Sequence, residues 1–406
     1  MERLRNKLNY MDDSDFSVTY KLNKLNGIFN WYPYTEGFSK PFVDKMLDFY
    51  EAKKNSLVLD PFSGCGTTAL SCTLKGIPSI SIEVNPFMDF VGKVKNNSLS
   101  LDLLKLKQEY KKIINYENNI KNIEIPPFII GKPFFNIENL HQALIIKEAI
   151  IKNITEENYK NFFMLHLASI LVRISDMVRA VDLRYKKNKQ DKLDVFQIYN
   201  DKIVKALNNL SEFKYKERPN QYFFNEDICN VSPAIEKYFG TVDFFITSPP
   251  YLNGTNYDRN TKLEMGFLEM IKTDADLKEL RTRMIIAGIN STHSKNIYST
   301  DLSFLNELIE NVKKNAYDRR IPLMVRGYFN DMDLAIQNIK RLMKNDARGV
   351  IVVGDSQFGG NHIETDLILA KICEIHNLEI ENINVVRERR SKNGMKLRES
   401  LIFVRK

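Results

Sequence analysis

Three short stretches of this 406-residue chain hold reactive or ligand-binding residue types at fixed spacing. Thr247-Ser248-Pro249-Pro250-Tyr251 follows the apolar run Val242-Asp243-Phe244-Phe245-Ile246. Neither proline has an N–H to give to a sheet, so the chain must leave it at Ser248. The product is a rigid platform with one hydroxyl, one carbonyl acceptor of little freedom at Pro249, and one aromatic ring at Tyr251. The second stretch is Val58-Leu59-Asp60-Pro61-Phe62-Ser63-Gly64-Cys65-Gly66-Thr67-Thr68. Its glycines permit a tight turn and close approach of backbone to a ligand. No Gly-Lys-Ser or Gly-Lys-Thr follows, so it is not a phosphate loop. The third is Glu83, which ends the run Ile80-Ser81-Ile82 about twenty residues further on. A carboxylate there can accept both hydroxyls of a ribose.

These residues need strands to aim them. Leu57–Leu59 reads as a strand, Thr67 opens a helix, and the run to Glu83 is a second strand, which together make a βαβ unit. The run into Ser248 is apolar enough for a strand covered on both faces. Open α/β sheets place ligand crevices at the carboxyl ends of such strands. Upstream, Ser39 reads as a helix N-cap with Pro41 in the first turn. Phe42, Val43, Met46, Leu47 and Tyr50 recur behind it at helical spacing. Trp31 and Phe38 fit core packing and ligand contact equally. Residues 1–30 read as a polar, loosely attached arm.

Residues 100–220 interrupt the sheet with expected helices over Leu101–Asn115, Ile137–Asn153, Glu156–Arg179 and Lys192–Phe213. They divide the chain into an arm and first core part (1–99), the helical insertion (100–220), and the rest of the core (221–406). Beyond the platform, Leu252–Arg259 reads as a polar loop, Thr261–Met270 and Met332–Met343 as helices, and Gly349–Ser356 as a buried strand. Thr365–His376 is a further expected helix, and Leu378–Val385 and Glu399–Val404 the closing strands.

The motifs resemble those of the S-adenosylmethionine-dependent amino-methyltransferases of DNA, which modify exocyclic amines of cytosine or adenine. The resemblance spans roughly residues 30–95 and 220–406. It implies a Rossmann-like class I methyltransferase fold, α/β, with a mostly parallel seven-stranded sheet flanked by helices. It implies S-adenosyl-L-methionine as cofactor, held by Tyr34, Thr35, Asp60, Pro61, Phe62, Gly64, Gly66, Thr67, Glu83, Asn85, Asp227 and Ile228. Glu226 competes with Asp227 for the adenine amine. Ser248 and Pro249 would accept the two hydrogens of the target amine, and Tyr251, carried by Pro250, would stack on the base. The base must then be flipped out of the duplex. Ser-Pro-Pro-Tyr is the commoner form in cytosine-N4 enzymes, so the resemblance favours cytosine, with adenine N6 as the alternative. The cofactor loop precedes the catalytic motif here, whereas many cytosine-N4 enzymes have the reverse order. An RNA base methyltransferase, a protein amine methyltransferase and a DNA-binding module without catalysis are further alternatives.

The net charge of +8 permits a polyanion partner. Basic residues suited to double-stranded DNA are Arg173, Arg179, Arg184, Lys186 and Lys187 in the insertion. Arg259, Arg281, Arg283, Arg389 and Arg390 are candidates beyond it. Arg387, Lys392, Lys396 and Arg398 share the last basic segment. His293 is a lone loop histidine that the chemistry does not need as a base. Four separated cysteines fit a reducing, cytoplasmic setting and speak against a zinc site. No apolar run approaches the ~20 residues of a membrane span, and the N-terminus lacks the apolar segment of a secretory signal. No nuclease motif stands in the sequence, so a restriction endonuclease partner would be a separate chain.

Overall fold

The computed structural model describes residues 1–11, 18–34, 36–116, 123–180, 182–213, 218–253, 257–292, 301–391 and 393–406. Short apolar runs pair into one sheet of eight strands. They are β1 (Leu8–Tyr10), β2 (Val58–Asp60), β3 (Ser79–Ile82), β4 (Gln221–Phe224), β5 (Val242–Thr247), β6 (Met343–Gly354), β7 (Glu379–Arg390) and β8 (Lys396–Arg405). Their order in space is β1-β7-β8-β6-β5-β2-β3-β4. The pairs from β6 to β4 are parallel. β8 runs antiparallel to both β6 and β7.

The chain lays β3 and β4 on one side of β2, then crosses over to place β5 on the other. The carboxyl ends of β2 and β5 therefore flank the topological switch point, where such sheets open a crevice. With the antiparallel β8 set between β6 and β7, this is the Rossmann-like sheet of class I methyltransferases. The expected seven strands are present, and β1 adds an eighth.

That eighth strand corrects the expected loose arm. Leu8–Tyr10 pairs parallel with Ile383–Val385, and Leu4, Tyr20, Ile28 and Phe29 are buried. Apolar residues spaced through a polar segment anchor it to the core one at a time, without any continuous run.

Helices cover both faces. They are α1 (Lys40–Phe49), α2 (Thr67–Lys75), α3 (Pro86–Ser98), α4 (Leu103–Ile114), α5 (Ile137–Asn153), α6 (Glu157–Ile174), α7 (Val195–Ser211), α8 (Ile321–Leu342) and α9 (Thr365–Ile375). Ser39 caps α1 by accepting the Phe42 amide N–H at 3.3 Å. Pro41 occupies its first turn, where a missing N–H costs nothing. The last expected helix of the insertion began too early, and the one before it ended too late. After α6 the chain turns into a small hairpin of Met177–Arg179 and Leu183–Tyr185. α8 begins eleven positions earlier than the expected Met332. Pro322 opens it, and Met324, Val325, Tyr328 and Phe329 extend its buried face.

The insertion does not stand apart. Phe162, Phe163, Leu167 and Tyr199 form one hydrophobic cluster with Trp31, Tyr32, Phe87 and Val91. Leu263, Phe267 and Leu280, from beyond the Ser-Pro-Pro-Tyr platform, belong to it too. Trp31 is core rather than ligand contact. Its ring meets Phe162 and His166 edge-on, and its indole N–H donates to Asn209 at 3.2 Å. Among the described residues no helix is long and apolar enough to cross a membrane.

Candidate functional site

The crevice at the switch point contains two neighbouring chambers. Counted by total empty space with open solvent included, the larger measures about 1070 Å³ and runs from Tyr34 and the glycine loop past Glu83 and Asp227 to Ser248–Pro250. The smaller, about 720 Å³ on the same count, lies beyond Ser248 and is lined by Tyr251, Tyr257, Arg387 and Glu399. Glu36, Gly37, Phe38, Ser248 and Tyr257 line both. Ser248 thus stands on the partition, with Phe38 beside it as a shared wall.

The larger chamber is built by buried carboxylates that hold backbone. Glu83 accepts the Gly64 amide N–H at 2.8 Å through one oxygen and the Asn85 amide N–H at 2.9 Å through the other. Burial pushes its carboxyl up to about 7 against those two bonds. Asp60 lies deeper. It accepts the Thr68 hydroxyl at 2.6 Å and the Thr247 hydroxyl at 2.9 Å. Burial raises it to about 6, with both threonines and the Phe62 amide opposing. Asp60 therefore ties β2 to α2 and to the residue just before Ser248. Through these bonds it fixes the platform, and it lines the larger chamber as well.

Two further residues of the expected cofactor set also carry structural work. Asn85 caps α3 by accepting the Phe87 and Met88 amides at 3.0 and 3.3 Å, and its amide donates to Thr261 at 2.8 Å. Its side chain is thereby committed to structure. Gly66 is left-handed at φ +75, and a Cβ there would stand 2.7 Å from Gly92 Cα. It lets α2 and α3 approach, while Gly64 is the glycine at the chamber wall, beneath the Tyr34 ring. Pro61, Phe62, Thr67 and Ile228 line the same chamber.

The two acids after β4 differ in their partners. Glu226 uses both oxygens on Ser232, at 2.8 and 3.1 Å. Among the described residues the Asp227 side chain accepts the Cys229 amide alone, at 2.9 Å, through one oxygen. Its other oxygen is left for a donor in the chamber. A long chamber with a free acid at one end, a carboxylate at its middle, and glycine backbone beneath an aromatic ring fits an adenosine-containing ligand.

In the smaller chamber Tyr251 is pinned. Its backbone N–H donates to the Tyr257 hydroxyl at 3.0 Å, and its own hydroxyl donates to Glu399 at 3.0 Å. Neither Tyr257 nor Glu399 was singled out from the sequence, nor was Glu36. Glu399 and Glu36 lie far in the chain from the Ser-Pro-Pro-Tyr motif, whereas Tyr257 follows Tyr251 by six residues.

The basic candidates divide. Arg173, Arg184, Lys187, Arg259, Arg389 and Arg390 are exposed, although Arg389 also donates to the Asp355 carbonyl at 3.0 Å. Arg179 is an internal brace, bonded to Glu264 and Tyr32. Lys186 donates to the Ser175 carbonyl at 2.7 Å and also bonds Gln190. Arg281 grips buried Asp258 at 2.6 and 3.0 Å. Arg283 lines the larger chamber and donates to the Asn225 carbonyl at 3.3 Å. Arg398, in the last basic segment, pairs with Asp366 at 2.9 Å and Asp355 at 3.2 Å. A guanidinium held by a buried carboxylate is not offered to a phosphate. Thr35, His293, Lys392 and part of the loop after Tyr251 lie outside the described residues.

No family model matches the chain. Curated relatives do. The Type II methyltransferase M.AvaI of Nostoc sp. is 26% identical over 430 residues, covering 95% of this chain and 86% of that protein. The Type II methyltransferase M.BsoBI of Geobacillus stearothermophilus is 24% identical, covering 94% and 84%. The Type II methyltransferase M.MvaI of Kocuria varians is 24% identical, covering 79% and 74%. A solved SAM-dependent methyltransferase from Methanosarcina mazei is 9% identical, with a TM-score of 0.31 over 89% of this chain and 96% of that one, too low to bear on the fold.

Proposed function

We propose that this chain is a DNA methyltransferase that moves a methyl group from S-adenosyl-L-methionine to the N4 amine of a cytosine flipped out of duplex DNA. The observation that carries the reading is the position of Ser248, on the partition between an adenosine-shaped chamber and a second chamber walled by Tyr251. The similarity to Type II methyltransferases over nearly the whole chain supports it. So does Ser at the first position of the motif, which favours cytosine over the alternative, adenine N6.

When bound, the cofactor supplies an electrophilic sulfonium methyl. The rest of the work falls to the chain. Asp227 accepts the adenine amine and Glu83 the ribose hydroxyls, with Gly64 and Tyr34 closing on the ligand. An exocyclic amine is a weak nucleophile because its lone pair is conjugated with the ring. Ser248 Oγ and the Pro249 carbonyl accept its two hydrogens and draw the nitrogen out of that conjugation. Tyr251 stacks on the base and fixes its plane. Holding the two reacting atoms in line lowers the barrier by several kcal/mol. Flipping costs a few kcal/mol, offset by phosphate contacts from exposed cations such as Arg184, Lys187, Arg259 and Arg390. The insertion, packed on the core through Phe162, Trp31 and Phe87, is the proposed target-recognition element, and any restriction endonuclease would be a separate chain.

The test is direct. The protein is incubated with the cofactor and unmethylated bacterial DNA, the DNA is digested to nucleosides, and the products are weighed by mass spectrometry. N4-methylcytosine is expected. N6-methyladenine overturns the choice of base and leaves the mechanism, whereas no methylated nucleoside overturns the reading.

A further inference from the structure

The Ser-Pro-Pro-Tyr platform is rich in acceptors and poor in donors. On the proposed chemistry the Ser248 hydroxyl and the Pro249 carbonyl take the two amine hydrogens. Pro249 and Pro250 have no N–H to give. A flipped base is held by the whole of its pairing edge, not by its amine alone. Next to the amine on that edge stands a ring nitrogen, an acceptor, and burying it without a donor is costly. The first backbone donor after the prolines is the Tyr251 N–H, and it is already engaged. It donates to the Tyr257 hydroxyl at 3.0 Å.

That bond sets the direction of the Tyr257 phenol. A backbone amide can only donate, so the phenol oxygen is the acceptor and its single proton points elsewhere. Among the described residues no acceptor takes that proton. Burial raises the phenol well above its ordinary value, which keeps the proton on it. Tyr257 lines both chambers, but its hydroxyl stands against Tyr251, which lines the smaller of the two. The residue thus hands the donor capacity of the buried amide on to the chamber beside the platform.

The segment that carries Tyr257 is anchored on three sides. The next residue, Asp258, is buried and pairs with Arg281 at 2.6 Å. The Asn260 amide donates to Glu36 at 3.3 Å, and the Thr261 hydroxyl accepts the Asn85 amide at 2.8 Å. A donor held in this way needs little reorganisation when a ligand arrives.

Resting on the reading of Ser248–Tyr251 as the methyl-transfer platform, we propose that Tyr257 is a base-binding residue: its phenolic O–H donates to the ring nitrogen beside the reacting amine, N3 of the flipped cytosine. Acceptor, acceptor and donor then face the amine and the ring nitrogen in matching order.

The test compares the whole wild-type protein with Tyr257→Phe on two DNA duplexes. One carries the methylated site as sequencing of the product maps it. The other has 3-deazacytosine at the target, which keeps the amine and replaces N3 by C–H. The quantity measured is kcat/KM for each duplex, with cofactor affinity alongside. The wild type should discriminate against the analogue about tenfold more strongly than Tyr257→Phe does, the scale of one buried acceptor left without its donor. Cofactor affinity should change by less than about twofold. A residue that merely held the Tyr251 backbone would lose the same factor on both duplexes, and that equal loss overturns the proposal. So does a fall in cofactor affinity that matches the fall in kcat/KM, because the proton would then serve the larger chamber. A wild type that methylates both duplexes equally overturns it as well, whether or not the variant folds. If adenine is the base methylated, N1 is the ring nitrogen and 1-deazaadenine the analogue. If the wild type methylates no DNA base, the functional reading fails and this inference falls with it. If it methylates DNA and only the comparison disagrees, the inference alone is lost.

Discussion

The two sides of the crevice are built on different principles. The larger chamber is held by carboxylates that bond backbone and hydroxyl donors close in sequence, as Glu83 holds Gly64 and Asn85. The smaller is held in part by side chains far apart in the chain, as Tyr251 meets Glu399, 148 residues on. The first is a rigid cradle whose carboxyls are raised by burial. The second rests on side-chain hydrogen bonds that a single substitution can break. Asp60 couples the two, because it bonds both Thr68 behind the glycine loop and Thr247 beside Ser248.

That coupling predicts the largest effect. Asp60→Ala leaves two buried hydroxyls without their acceptor, each worth about 1–3 kcal/mol, so stability should fall by roughly 2–6 kcal/mol. Urea unfolding measures it, and a loss under about 1 kcal/mol would dissolve the link between the two sides. Gly66→Ala comes next. It strains a left-handed residue and forces α2 and α3 apart, at a cost of about 2–3 kcal/mol. The melting temperature should drop without a change in which base is methylated.

Glu83 sharpens the contrast through pH. Its carboxyl is raised to about 7, so the folded chain holds a proton there that the unfolded chain releases. Between the ordinary carboxylate range and about pH 7, this group's contribution to stability falls as pH rises. Cofactor affinity should move oppositely, rising through about pH 7 as the carboxylate ionises and accepts the ribose hydroxyls. Calorimetric titration against pH should show the rise in the wild type and flatten it in Glu83→Gln, with about a tenfold weaker affinity at pH 8. A pH-independent wild type would remove Glu83 from the cofactor contact. The smallest effects belong outside the crevice. Arg184→Ala and Arg390→Ala should each lower the slope of DNA affinity against salt by about one, as single phosphate contacts do. Arg179→Ala should instead act on stability, because its partner Glu264 is buried.

The same contrast explains what the sequence reveals. The glycine loop, Glu83 and the Ser-Pro-Pro-Tyr platform are local signals, where residue type and spacing within one βαβ unit or one strand end dictate geometry. They were enough to expect the switch-point crevice and the parallel sheet. The structural work of Asp60, Asn85 and Gly66 does not show in the motif, because their partners Thr247, Thr261 and Gly92 lie outside it. Arg179, Arg281 and Arg398 read as phosphate contacts only while their buried acids, Glu264, Asp258 and Asp366, lay far away in the chain. β1 was hidden because three residues added to a sheet edge carry almost no pattern.

The central claim is that binding and transfer are separable at Ser248. Ser248→Ala, measured for turnover on unmethylated DNA and for cofactor affinity in its absence, tests it most directly. Turnover should fall by about 100-fold or more, the scale for losing one preorganised hydrogen bond at a reacting centre, while cofactor affinity stays within about twofold. Wild-type turnover, or an equal loss in affinity, would contradict the account.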